Sequence, residues 1–202
     1  YLKSKLYELL DFIKSSKDGI NGLVCVDTSP VMEKVWAQKA GLGWIGKHTN
    51  LITQDFGSWI FLGEVILDCD LVFDTPFLND LCGTCTACID SCPTQALQPY
   101  IIDSNKCISY LTIEYRESFS KDMDMHNWIY GCDICQEVCP WNIKFKKIST
   151  DLSFQVRPDI KDKKITDWLE ISELDFRKIF KNSSMKRTKY KGLIRNVKKI
   201  LT

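Results

Sequence analysis

The sequence predicts an α+β fold made of three successive segments. Residues 1–79 alternate between helical and strand-like hydrophobic patterns, which indicates an α/β portion. Residues 80–142 hold eight of the ten cysteines, and residues 143–202 end in a strongly basic stretch. We therefore expect a cysteine-rich segment between the α/β portion and a helical, basic C-terminal segment.

The first segment opens with a helix, a strand and a second helix. Leucine and isoleucine recur at helical spacing through residues 1–16, and GLVCVD at 22–27 is a short apolar run typical of a strand. Ser29 and Pro30 are typical of a helix start, and Gly41 is typical of a helix end.

Two further strands are predicted to complete this segment. Residues 50–54 and 58–67 are strand-like and flank the turn DFG, so we expect them to form a hairpin. The preceding GLGWIG at 41–46 matches a dinucleotide-binding fingerprint, but a helix precedes it and a strand follows it. Because phosphate binding requires the opposite order, we expect no nicotinamide site there.

Composition excludes membrane-spanning and disulfide-scaffold proteins. Hydrophobic residues make up 45% of the chain and six residues are tryptophan, as in folded globular proteins. No apolar run approaches the roughly 18 residues of a membrane span. The cysteines are clustered within a long chain, unlike those of small secreted scaffolds, so we expect a cytoplasmic protein with no membrane partner. The chain begins at Tyr1 inside a helical pattern, and we expect it to be a fragment of a longer protein.

Positive charge is concentrated at the C-terminus. Residues 181–202 contain eight Lys or Arg and no acid, whereas the rest of the chain holds 19 basic and 26 acidic residues, a formal −7. A basic tail on an acidic body favours binding of a polyanion. The alternative is the solvated face of a terminal helix whose inward side chains are Leu193, Ile194, Val197 and Leu201.

Four cysteines have the spacing of an iron–sulfur site. Cys82, Cys85, Cys88 and Cys92 form C-x2-C-x2-C-x3-C-P, the run with which bacterial-type ferredoxins hold cubane clusters. Each tight C-x2-C loop presents two thiolates to neighbouring corners of a cluster, and the final proline turns the chain away. The fourth cysteine of such a run ligates a second cluster, which requires a second motif.

The stretch CDICQEVCP at 132–140 supplies that motif, and Cys107 supplies its missing cysteine. We assign one [4Fe–4S] cluster to Cys82, Cys85, Cys88 and Cys139, and the other to Cys92, Cys107, Cys132 and Cys135. Paired C-x2-C motifs also bind zinc, but two interlocked runs that each close with Cys-Pro favour iron–sulfur clusters. Cys25 and Cys69 lie in apolar, strand-like stretches and are expected in the core.

Longer stretches of the chain resemble epoxyqueuosine reductases. The matching stretches are VDTSPVMEKVWAQKAGLGWIGKHTNLI, FGSWIFLGEV, CGTCTACIDSCPTQAL, CISYLTIEYR and YGCDICQEVCPWN. The closing basic stretch also resembles the end of the region that this family shares. The resemblance covers essentially the whole chain, in order and in spacing.

This resemblance implies a cobalamin enzyme that performs the last step of queuosine synthesis on tRNA. It implies that residues 1–79 are the C-terminal part of a cobalamin-dependent reductase domain, that residues 80–142 are a ferredoxin-like domain with two [4Fe–4S] clusters, and that residues 143–202 are a helical basic tail. Electrons from an external low-potential donor would reduce an epoxide on the modified base to an alkene. Because the cobalamin domain of the family begins before Tyr1, the fragment alone is expected to be poorly loaded or inactive.

Two alternatives to this function remain open. One is a stand-alone dicluster electron carrier of the ferredoxin type, which would have no substrate chemistry. The other is a cobalamin enzyme similar to the reductive dehalogenases, which share the architecture but lack the basic tail.

The resemblance implies a catalytic role for Asp27. The opening epoxide oxygen needs a proton, and a carboxyl in a half-apolar pocket can supply it. The alternative is that Asp27 only caps the helix that starts near Pro30.

The resemblance also implies sites for cobalamin and tRNA. The cobalamin contacts fall on Asp27, His48, Leu51, Leu62, Ser109, Cys132 and Asp133. His48 stands where the family usually has asparagine, and it is expected to be a hydrogen-bond donor or an axial ligand. The residues expected to contact tRNA phosphates, with little sequence choice, are Lys186, Arg187, Lys189, Lys191, Arg195, Lys198 and Lys199.

Overall fold

The computed structural model describes residues 1–202, which form two compact units that are each built from two stretches of chain. The first unit comprises Tyr1–Cys85 and Cys139–Ile148, and the second comprises Thr86–Val138 and Ser149–Thr202. These boundaries differ from three successive segments, because the chain leaves the first unit within the cysteine run and returns to it at Cys139. The functional division at residues 79 and 142 stays a prediction.

The secondary structure is mixed, as predicted. In chain order the elements are α1 (Leu2–Ser16), β1 (Gly22–Cys25), α2 (Glu33–Lys39), β2 (Trp44–Ile45), β3 (Leu51–Ile52), β4 (Glu64–Leu67), α3 (Ala87–Asp90), β5 (Leu97–Gln98), β6 (Ile101–Ile102), α4 (Ile108–Ile113), α5 (Ile134–Glu137), α6 (Pro140–Phe145), α7 (Pro158–Lys161), α8 (Glu173–Ile179) and α9 (Lys189–Leu201). Short 3₁₀ helices lie at Leu152–Phe154, Ile165–Leu169 and Ser184–Thr188. No helix is long and apolar enough to cross a membrane.

In the first unit, α1 packs against a two-stranded sheet. The predicted helix over residues 1–16 is confirmed, and the predicted strand at 22–27 is the shorter β1. Strand β1 pairs antiparallel with β4, with Leu23 opposite Ile66. Buried Cys25 lies in this sheet, so its expected place in the core is confirmed, whereas Cys69 is half-buried.

The predicted hairpin between residues 50–54 and 58–67 is wrong. Strand β3 pairs with β2, and β4 pairs with β1, so the turn at Asp55–Gly57 closes only one isolated bridge between Thr53 and Gly57. The chain leaves the ladder at Ser58, whose main-chain N–H donates to Asn142 Oδ1 instead.

Helix α2 starts later than Ser29 and Pro30 predict. Residues 26–31 form local turns, in which the Thr28 N–H donates to the Val26 carbonyl and the Val31 N–H donates to the Ser29 carbonyl. The helix ends before Gly41, which has φ +74, as predicted for a glycine in the left-handed region. The strand β2 follows, so the order of elements around GLGWIG is helix then strand, as the sequence indicated.

The second unit has its own core. Trp168, Phe176 and Phe180 pack with Leu193 and Val197 of α9. Phe180 is fully buried and stacks on Trp168, with ring centroids 5.7 Å apart. Helix α9 therefore turns Leu193 and Val197 inward as the second interpretation of the tail expected, although Leu201 is exposed.

Candidate iron–sulfur centre

The first cysteine run winds through tight turns. The Cys85 N–H donates to the Cys82 carbonyl, and the Cys92 N–H donates to the carbonyl of Ile89 in α3. Gly83, which lies between Cys82 and Cys85, has φ +51, a conformation that suits glycine at a close turn. Cys82 and Cys85 belong to the first unit, and Cys88 and Cys92 belong to the second.

The second cysteine run, residues 132–140, also contains a short helix and tight turns. Helix α5 lies within it, where the Gln136 N–H donates to the Asp133 carbonyl. The run closes at Cys139, which caps α6, and Pro140 is the first residue of that helix. The proline therefore starts a helix, which its fixed φ and missing N–H permit, and does not simply divert the chain.

Thiols of the second unit lie close to one another. Burial, together with a smaller contribution from neighbouring thiols, raises the pKa of the Cys135 thiol to about 12. Those neighbouring thiols are Cys132, Cys107, Cys88 and Cys92. Burial also raises the pKa of Cys132, although a hydrogen bond from the Ile134 N–H opposes this rise. The thiols near Cys135 are therefore the three other cysteines assigned to its cluster and also Cys88, which was assigned to the other cluster, and the division between clusters stays a prediction.

Thiols of the first unit lie in its hydrophobic core. Cys139 is buried with Trp44 and Ile52, and Cys82 packs against this group. The Trp44 Nε1–H donates to Cys82 Sγ over 3.5 Å. Burial raises the pKa of Cys82, and the bond from Trp44 opposes that rise. Cys85 is the exposed member.

These sulfur groups suit clusters better than single ions. A zinc ion needs four ligand atoms within about 2.3 Å of one point. No group of three or more His, Cys, Asp or Glu side chains is arranged to hold one metal ion. Packed thiols become mutually repelling anions when they ionise, and bound iron offsets that charge. An all-sulfur donor set is the one that iron–sulfur clusters use.

Asp27 lies on an exposed turn directly after β1. Its φ is +48, an uncommon conformation for an aspartate that often marks functional turns. The expected half-apolar pocket around it is not formed by this chain, because the side chain is exposed. The capping alternative is wrong, since the N-cap of α2 is Met32 and no side chain caps that helix.

His48 is buried in the turn between β2 and β3, with 2% of its surface exposed. Its Nδ1 accepts a hydrogen bond from the Asn50 N–H, so the neutral ring carries its proton on Nε2. Burial lowers the pKa of His48 to about 4, and the Lys34 ammonium contributes to this change. Nε2 is buried without a partner. This tautomer presents Nε2 as a hydrogen-bond donor, which favours the donor role over axial ligation, and a contact of His48 with cobalamin stays a prediction.

The other expected cobalamin contacts are divided between the units. Leu51 is buried and Leu62 is half-buried in the first unit. Ser109, Cys132 and Asp133 are half-buried in the second unit. Among these positions, His48 Nε2 is the unpaired buried donor, and cobalamin binding by this chain stays a prediction.

Some basic side chains of the C-terminal tail already form contacts within the protein. Arg187 pairs with Glu114, and Lys199 Nζ donates to the carbonyls of Ser120 and Lys121. The exposed lysines among the predicted phosphate contacts are Lys186, Lys189, Lys191 and Lys198.

Arg195 was wrongly placed among the phosphate contacts. Its Nη1 donates to the carbonyls of Tyr115 and Glu117, and its Nη2 donates to the Leu111 carbonyl. The two remaining N–H groups, one on Nε and one on Nη2, both donate to Asn196 Oδ1. All five N–H groups of this half-buried guanidinium therefore have acceptors within the second unit.

Sequence reasoning missed Trp44 and Lys47. Both lie in GLGWIGK, where neither the dinucleotide fingerprint nor the family resemblance predicts a contact with the cysteines. Lys47 Nζ donates to the carbonyls of Gly83 and Cys85, 2.6 and 2.9 Å away. No sequence signal links these positions, because nearly forty residues separate them.

Comparison with known proteins agrees with this site. Residues 81–142 match the model of a 4Fe-4S double cluster binding domain, so the chain carries a domain for two [4Fe–4S] clusters. Over 97% of its length, the chain is 49% identical to an epoxyqueuosine reductase from Cellulophaga algicola and covers 64% of that protein. It is 40% identical to one from Synechocystis sp., over 96% of this chain and 68% of the relative.

A solved structure extends this likeness to the fold. It is an epoxyqueuosine reductase with an epoxyqueuosine-modified tRNA-Tyr stem loop, and it is 33% identical to this chain with a TM-score of 0.87. The match covers 99% of this chain and 53% of the other. The chain thus spans about two thirds of its sequence relatives and about half of this structure.

Proposed function

The chain belongs to the epoxyqueuosine reductase family, and we propose that the protein containing it reduces epoxyqueuosine in tRNA to queuosine. The reaction consumes two electrons and two protons, converts the epoxide to an alkene and releases the oxygen as water. The observation that carries the proposal is the packing of Cys92, Cys107, Cys132 and Cys135 within a segment that matches a double-cluster domain.

Eight cysteines are proposed to hold the two clusters. Cys82, Cys85, Cys88 and Cys139 hold one, and Cys92, Cys107, Cys132 and Cys135 hold the other. When bound, the clusters and a cobalamin supply the electrons that break the carbon–oxygen bonds of the epoxide. His48, Leu51, Leu62, Ser109, Cys132 and Asp133 are the proposed contacts of this chain with cobalamin.

Asp27 is proposed to donate a proton to the opening epoxide oxygen. Its exposed carboxyl lies on a turn with positive φ, where it is accessible to a substrate. General acid catalysis of this kind contributes about 10²–10⁴-fold to a rate.

The exposed lysines Lys186, Lys189, Lys191 and Lys198 are proposed to contact tRNA phosphates. Such contacts give salt-dependent affinity with little sequence choice. The tRNA stem loop bound by the related structure supports this partner. Base recognition then requires that the modified base leave its stack.

The test uses the full-length protein, reconstituted anaerobically with iron, sulfide and cobalamin. Iron and cobalt are counted, and nucleosides from treated tRNA are measured by mass spectrometry. We expect both metals and the formation of queuosine. Iron without cobalt binding or turnover would indicate the electron-carrier alternative, and zinc in place of iron would refute the proposal.

The role of Asp27 is tested in the same protein. Asp27→Asn is expected to lower turnover at least 10²-fold while iron and cobalt loading stay unchanged. The matched control is Asp18→Asn, at an exposed aspartate before β1, which should retain full turnover. Retained turnover in the Asp27 variant would remove this carboxyl from the reaction.

A further inference from the structure

The hairpin formed by β2 and β3 directs two polar side chains at the first cysteine run. Trp44, which is only 1% exposed, donates its indole N–H to Cys82 Sγ. Lys47, in the turn of the same hairpin, donates to the carbonyls of Gly83 and Cys85. One short element therefore contributes a ring N–H to one ligand sulfur and a positive charge to the main chain of a second ligand.

These contacts have an electrostatic consequence for a bound cluster. One-electron reduction makes the cluster and its thiolates more negative. Hydrogen bonds to the ligand sulfurs and a nearby cation stabilise this more negative state, and so raise the reduction potential. The indole N–H has no acceptor capacity of its own, so it acts only as a donor to the sulfur.

The second group of thiols lacks this arrangement. The hydrogen bonds to its sulfurs come from the main-chain N–H of Ala96 to Cys92 and of Ile134 to Cys132, with the Thr94 hydroxyl 3.8 Å from Cys92 Sγ.

Each group also has one carboxylate nearby, and these act in the opposite direction. Asp80 accepts the Cys82 N–H in the first group, and Asp133 lies beside Cys132 in the second. A carboxylate therefore lies beside one ligand cysteine in each group. Main-chain N–H groups reach ligand sulfurs in both groups, because the Lys47 N–H also bonds to Cys82. The indole N–H of Trp44 and the ammonium of Lys47 are the side-chain contributions that distinguish the first group.

We propose that Trp44 and Lys47 raise the reduction potential of the cluster bound through Cys82, Cys85 and Cys139 above that of the other cluster. An electron that enters the domain then comes to rest on this cluster. The proposal rests on the part of the proposed function that assigns these cysteines to clusters, and it is independent of the substrate.

The experiment is a potentiometric titration of the full-length, iron-loaded protein, followed by electron paramagnetic resonance. Trp44→Phe removes the N–H and keeps a ring, and Lys47→Met removes the charge and keeps the chain length. Each is expected to weaken one-electron reduction of the higher-potential cluster about tenfold, a shift of about 59 mV, and to leave the lower-potential cluster unchanged. Lys47→Arg should restore the original potential.

Matched controls come from α2 of the same unit. Trp36 is 55% exposed, and Lys39 lies over its ring. Trp36→Phe and Lys39→Met should leave both potentials unchanged.

Three results would overturn the tuning role. They are unchanged potentials in both variants, equal shifts of both clusters, and loss of iron from Lys47→Met, which would make Lys47 an assembly residue. An iron count near zero in the unmodified protein would instead refute the proposed function. Normal iron with tuned potentials but no queuosine would refute only the substrate.

Discussion

The two units of this protein relate their cores to their cysteines in different ways. In the first unit, buried Cys139 packs with Trp44 and Ile52, and Cys82 packs against them. In the second unit, the core around Phe180 contains no cysteine. Packing and the proposed metal binding therefore depend on the same contacts in the first unit, whereas the second unit separates its main core from its thiols.

Removal of iron is the largest test of this difference. We expect chelation to abolish hydrogen-exchange protection in β2, β3 and α6, because it leaves thiols without their metal inside a core of Trp44 and Ile52. Protection in α8 and α9 should persist. Exchange measured by mass spectrometry on loaded and stripped protein provides the check, and equal loss in both units would contradict the comparison.

Truncation of the second core should have the next largest effect. Phe180→Ala removes a fully buried ring and is expected to lower the free energy of unfolding by about 4 kcal/mol. Leu174, on the preceding turns of the same helix, is 61% exposed, and Leu174→Ala should change it by less than about 0.5 kcal/mol. Denaturant titration measures both. A loss of iron in the Phe180 variant would show that the core and the thiols are coupled after all.

Substitutions of two cations of α9 should affect stability and tRNA binding separately. Arg195→Met leaves three main-chain carbonyls without their donor and removes a guanidinium 4.0 Å from the Phe119 ring, so we expect a loss of about 2–3 kcal/mol. Exposed Lys191→Met should keep stability and reduce the salt dependence of tRNA binding by about one phosphate contact. Unfolding and salt-dependent binding titrations distinguish the two outcomes, and a reversed pattern would return Arg195 to the tRNA surface.

Histidine titration should give the smallest effect, and only in the first unit. The pKa of His48 is lowered to about 4 from 6.5, so the unfolded chain takes up this proton first as the pH falls. The stabilisation is therefore complete above pH 6.5 and decreases between pH 6.5 and 4. We expect unfolding to cost about 1.4 kcal/mol less at pH 5.5 than at pH 7.5.

The control for this pH dependence is the exposed His126. His48→Asn should flatten the dependence, whereas His126→Asn should retain it, and His126 has φ +45, which asparagine tolerates. Denaturation midpoints over this pH range give the comparison. An unchanged slope in the His48 variant would show that another group is responsible.

Local features were predicted best from the sequence. The helix over residues 1–16 follows from periodicity, and the presence of a segment for two clusters follows from the spacing of its cysteines. Strand pairing was not predictable in the same way. Strand β4 pairs with β1 about forty residues earlier, and nothing local in 58–67 distinguishes this partner from residues 50–54.

The same distance limit explains the errors at the candidate sites. Arg195 and Lys191 look alike in a basic run, but the carbonyls that bind Arg195 lie about eighty residues away. The contacts of Trp44 and Lys47 could not be predicted for the same reason, because their partners lie in another segment of the chain. Asp27 was placed correctly after a strand, whereas its exposure was not foreseen.

The link between Ser58 and Asn142 has a consequence for the divergence of this family. The Asn142 amide accepts from the Ser58 N–H and donates to its hydroxyl, and a Cβ at Gly57 would collide with the same amide. Replacement of Ser58 or Asn142 alone leaves a buried polar group without its hydrogen-bond partner, and replacement of Gly57 alone creates a clash. An alignment of homologues should therefore show that these three positions are conserved or covary.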